Sequence, residues 1–223
     1  MITLLAALAL APQSSCSEWA EAFEIPGVYT PYLPSSSGPD GVMASAVFDD
    51  GTGPALYIGG DFQIAGSSPA SRVARWDGNG WSPLGSGISG GGFPPEVRAM
   101  AVHDDGTGPA LYAAGFFGSA GGLPATSVAR WNGTAWSPVS GLTNTVIVTD
   151  LEVFDTGNGP RLFAAAGQLY EWDGANWLGH GSPAGFSFGG PISLEIFEGE
   201  LYVGSDIDQG SWAAALAKWF NIT

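Results

Sequence analysis

Two histidines, His103 and His180, are the only imidazoles of the chain, and Cys16 is its only thiol. Nucleophilic catalysis needs a base beside the nucleophile and a third group to orient that base, so the material for it is thin. No G-x-S-x-G, H-E-x-x-H or phosphate-loop segment occurs. His103 stands where related segments carry Phe48, Phe154 and Phe197, which predicts a packing role; His180 is read as a loop residue in a glycine-rich stretch. Glu152 and Glu195 carry the acid chemistry that is present. They replace Ala46 and Ala101 of the related segments, and glycoside hydrolysis needs two such carboxyl groups facing one another. Burial near an axis would raise their pKa. The favoured structural alternative pairs them with Arg130, Arg161 or Lys218.

Carboxylates also recur in turns, at Asp49-Asp50, Asp104-Asp105 and Asp155. Calcium loops alternate Asp-x-Asp-x-Asp, which these turns lack, and Asp, Asn and Gly are ordinary turn formers. Neither a metal ion nor a cofactor is expected. Aromatic rings are the other source of binding chemistry. Eight of the nine tryptophans (19, 76, 81, 131, 136, 172, 177 and 219) sit at recurring positions and are expected to pack between strands or units. Tyr29, Tyr32, Phe93, Phe186, Phe188 and Trp212 lie outside those positions. They are the candidate ligand-binding set, since rings on loops can stack on a sugar or a peptide.

The elements that must position these groups come from an internal repeat. AVFDDGTGPALY (Ala46–Tyr57) returns as AVHDDGTGPALY (Ala101–Tyr112), and VARWDGNGWSP (Val73–Pro83) as VARWNGTAWSP (Val128–Pro138). A third copy holds EVFDTGNGPRLF and LYEWDGANW; a fourth holds EIFEGELYVG and LAKWF. Each unit contains four strand-like runs, alternating in the first strand and rich in β-branched and aromatic residues. Tight Asp-Gly or Asn-Gly turns separate them. Four antiparallel strands per unit, with no helix between, predict an all-β fold of β-propeller blades, about four in number. The last unit stops after its third strand, and Trp19 in SEWAEAF offers the fourth. Such a strand would close the ring and cover two sheet edges. A fragment of a larger ring is the rival.

The run ending in Gly59-Gly60, followed by a paired aromatic motif, resembles kelch repeats of the galactose-oxidase-like propeller superfamily. That resemblance implies a secreted, bacterial-type propeller. The copper site of that group requires a cysteine-linked tyrosine with two histidines, and Cys16 lies too near the N-terminus to serve. Asp77-Gly-Asn-Gly-Trp81 is similar to a sialidase Asp-box one residue short, without an arginine triad.

The chain has 223 residues, 45% of them hydrophobic, with 35 glycines, 16 prolines and a net charge of −15. So acidic a chain has no means of releasing counterions from a phosphate backbone, which excludes nucleic acid as a partner. Leu4–Ala11 reads as the apolar region of a signal peptide and is too short to span a membrane. A signal peptide is expected over 1–16 and the repeat domain over 17–223. Its units fall at about 43–96, 97–145, 146–190 and 191–223, the last completed by a strand at 18–24. The expected protein is a secreted or cell-surface monomer without enzymatic activity, binding carbohydrate or a cell-envelope protein. The alternatives are a polysaccharide hydrolase or lyase with its site at the axis, and a structural piece of a larger surface protein. Connections from second to third strand, and from one unit to the next, vary most. Strand order puts both on one face, where binding is expected.

Overall fold

The computed structural model describes residues 28–29, 41–91, 94–142, 147–181, 191–205 and 216–219, all as strand, turn or irregular chain without a helix. Three units each form one four-stranded antiparallel sheet in chain order. The first unit holds Val42–Asp49, Pro54–Gly60, Val73–Trp76 and Trp81–Pro83; the second holds Glu96–Asp104, Pro109–Phe116, Val128–Trp131 and Trp136–Pro138. The third holds Asp150–Asp155, Pro160–Ala165, Leu169–Trp172 and Trp177–Gly181. In the fourth, Pro191–Phe197, Glu200–Ser205 and Leu216–Lys218 make a three-stranded sheet. The strand expected at 18–24 lies outside the described residues. So does the leader. No closed ring is formed among the described residues.

Each sheet is apolar on both faces, so a single unit cannot bury its own surface. The units solve this by stacking. Phe48, Tyr57 and Val73 of the first meet Leu111, Trp131 and Trp136 of the second in one core cluster. Tyr112, Ala114 and Val128 of the second meet Leu162 and Trp172 of the third. Phe163 and Leu169 of the third meet Leu194, Leu201 and Val203 of the fourth. Trp136 Nε1 adds a 2.8 Å hydrogen bond to the Leu84 carbonyl, tying the second unit to the first.

The connections between second and third strands are not simply variable loops, as their sequence suggests. In the first two units they fold into hairpins, Ile64–Ala65 with Ser68–Pro69 and Ser119–Ala120 with Leu123–Pro124. Each hairpin takes a third short strand from the chain that leads into its unit: Val28–Tyr29 in one case, Ile88–Ser89 in the other. Gly121 turns the second hairpin at φ +61°, and a Cβ there would lie 2.8 Å from the Cβ of Trp136. The ribbon is packed on the scaffold. Strands of two residues are too short to show a period, which is why the pattern hides them.

Candidate functional site

The acidic turns are built by their own backbone. Asp104 Oδ1 accepts the amides of Gly106 and Gly108, both at 2.9 Å. Asp105 Oδ1 accepts the amide and hydroxyl of Thr107, and its Oδ2 accepts the Tyr112 hydroxyl at 2.9 Å. Asp49 and Asp50 repeat the pattern with Gly51, Gly53, Thr52 and Tyr57. Burial alone would raise the Asp105 carboxyl, but the bonds from Thr107 and Tyr112 and the charge of Arg130 hold it below its ordinary value. Burial and the Asp50 carboxylate push the Tyr57 hydroxyl up to about 12. These carboxylates are turn elements, and no group of three potential metal ligands forms among the described residues.

Between the second and third units the same turns enclose a polar cleft of about 190 Å³. Its walls are His103, Asp104 and Asp105 on one side, and Asn158, Arg161 and Asp173 on the other. Gly174 also lines it, where the third unit's last turn approaches the second unit; a Cβ on it would lie 3.5 Å from the Asp105 carbonyl. Arg161 Nη1 donates to the Asp173 carbonyl at 2.9 Å, which holds the guanidinium along the rim. Asp173 Oδ1 accepts the amides of Ala175 and Asn176, and these bonds hold its carboxyl below the ordinary carboxylate value. The His103 ring is 5% exposed and lies 5.8 Å from the Tyr112 ring. Burial lowers its pKa, against the pull of Asp105 and Asp104, so at neutral pH it is an uncharged imidazole. His103 therefore packs as its position predicts, while one edge borders the cleft.

The expected acid pair has different neighbours. Arg130 lies 3.9 Å from Asp105 and donates to the Gly108 carbonyl, and Lys218 bridges to Glu200 at 2.9 Å. Burial raises the Glu152 carboxyl, and the charges acting on it are the like charges of Asp150 and Glu195. The favoured pairing of Glu152 with Arg130 or Arg161 is thus not the arrangement found. Asp150 is also raised by burial, and it accepts the Leu194 amide at 2.7 Å, joining the third unit to the fourth. His180 departs from the loop assigned to it. It lies in the strand Trp177–Gly181, 2.9 Å from Glu171 Oε2 and against the rings of Phe163 and Trp219.

Of the candidate aromatic set, Tyr29 is placed by its backbone in the first ribbon, opposite Ile64. Tyr32, Phe93, Phe186, Phe188 and Trp212 lie outside the described residues. Asn158, Arg161 and Asp173 were the residues that sequence reasoning passed over as a site. The signal for them is a comparison of units in register: they stand where the second unit has Thr107, Ala110 and Asn132. Comparison with protein-family models, with curated proteins and with solved structures finds no match for the chain.

Proposed function

We propose that the stacked units are blades of a kelch-like propeller and that the chain is an extracellular binding module for carbohydrate. One observation carries this reading. The cleft between the second and third units mixes donors and acceptors: Arg161, Asn158 and His103 beside Asp104, Asp105 and Asp173. Hydroxyl groups both give and accept hydrogen bonds, so a neutral polyol satisfies such a set, whereas three carboxylates disfavour an anion. The neutral His103 supplies a ring edge without a charge. The test is a glycan panel read by calorimetry on the full chain. At pH 7.5, Arg161→Ala and His103→Phe should each lose binding by tenfold or more while keeping the wild-type melting curve. A chain that binds no glycan, or variants that bind as before, would overturn the proposal.

A hydrolytic reading has one specific support, the raised carboxyl of Glu152 beside Glu195. It requires turnover of a polysaccharide that Glu152→Gln abolishes.

A further inference from the structure

The stack repeats one interface, and among the described residues its two end units carry the halves of that interface that no other unit covers. On one face of the second unit, Val102, Leu111, Trp131 and Trp136 stand in register across the four strands. The third unit has Val153, Leu162, Trp172 and Trp177 in the same row. Both rows are covered by the preceding unit, and Leu111 and Leu162 are fully buried. The matching row of the first unit is Val47, Leu56, Trp76 and Trp81. No other unit covers it among the described residues: Val47 is 67% exposed and Leu56 38%, while Trp81 packs against the first unit's own cluster of Ile58, Phe62, Ala65, Ala70 and Ala74.

The covering face is equally regular. It centres on a ring pair, Phe48 with Tyr57 at 5.6 Å, His103 with Tyr112 at 5.8 Å and Phe154 with Phe163 at 6.1 Å, the first two tilted and the third edge-on. In each case the pair turns toward the next unit. The fourth unit carries the same pair, Phe197 with Tyr202 at 6.1 Å, yet Phe197 is 59% exposed.

We propose that the chain self-associates head to tail, with the Phe197–Tyr202 face of one copy seated on the Val47–Leu56–Trp76–Trp81 row of a second copy. The occupant is named by the repeat itself. The bare row has the register of rows that already accept an aromatic pair on this sheet, and the described residues present one such pair that no other described unit covers. Such a contact is heterologous, joining different surfaces of the two copies. It stands in place of the monomer and the within-chain ring closure expected from sequence, which would seat these same two faces on one another, because both are exposed in the single chain. The inference does not rest on the carbohydrate reading, since neither face includes a cleft residue, but it places the contact that joins the last blade to the first between copies rather than within one chain.

The test is sedimentation velocity on the full chain at physiological salt, where a Debye length of about 8 Å screens much of the repulsion between acidic copies. Wild type should sediment at twice the chain mass or a higher multiple, and dissociate on dilution. Val47→Glu and Phe197→Glu should each be folded monomers by circular dichroism. Mixed together they should form a one-to-one dimer, because each variant keeps the face that the other has lost. A wild type that stays monomeric at hundreds of micromolar, or two variants that do not complement, would overturn the proposal. An intramolecular closure or a cover from the N-terminal segment would give that monomeric result.

Discussion

The junction between the first and second units and the junction between the second and third share one backbone and differ in chemistry. In both, paired aspartates hold the turn between first and second strands, and a glycine of the next unit's last turn lies against it. Gly133 approaches Asp50 at the first junction, as Gly174 approaches Asp105 at the second. What changes is the lining. Phe48, Ala110 and Asn132 at the first junction become His103, Arg161 and Asp173 at the second. The comparison teaches that the turn aspartates fix the scaffold and leave these three positions to set polarity. A cleft can thus appear at one junction without disturbing the strands beside it.

The largest effect should separate interior from end. Trp131 is 7% exposed, and Trp131→Ala should cost roughly 3–5 kcal/mol in chemical denaturation. Trp76, its equivalent in the first unit, is only half-buried, and Trp76→Ala should cost about 1–2 kcal/mol. Equal losses would show that the first unit is covered as fully as the second.

A smaller effect tests the shared turn. Tyr112→Phe removes the hydroxyl that Asp105 accepts and should cost about 1.5–3 kcal/mol, because the acceptor is charged. Tyr57→Phe should fall in the same range if the two junctions are built alike.

The smallest effect tests the difference in lining. Burial holds the His103 pKa below its ordinary value of 6.5, so the unfolded chain takes up the proton first as the pH falls. The stability from this site is complete above pH 6.5 and is lost progressively below it. Replacing His103 with the phenylalanine of the first junction should therefore flatten the fall in melting temperature between pH 7.5 and 5.5. An unchanged slope would mean that the ring titrates as in the unfolded chain.

Much of this architecture is legible in the sequence because two units are near copies. The Asp-Asp-Gly-Thr-Gly-Pro turns and the tryptophans five apart recur with little change, and the structure forms strands where they predict them. The tryptophan pairs meet at 5.2, 5.4 and 5.3 Å. What sequence does not carry is a residue's neighbour in the stack. Trp76 and Trp131 sit in the same VARW motif, but one lies in the end unit and the other between units. The cleft was hidden for the same reason, since His103 and Arg161 belong to different units and are joined only by stacking. The pairing of Glu152 was misjudged because spacing along the chain does not reveal which cations the neighbouring turns already hold.

Three of the four core clusters span two adjacent units, and this has a consequence for how the protein comes apart. Such an array behaves as a one-dimensional chain of coupled segments, in which stability is a sum of unit terms and nearest-neighbour terms. In the dissociated chain the outer segments have one coupling each and the inner segments two, so opening should begin at the ends and travel inward. Amide hydrogen exchange would register this as a gradient, slowest in the strands around Leu111 and Leu162 and fastest around Val47 and Phe197.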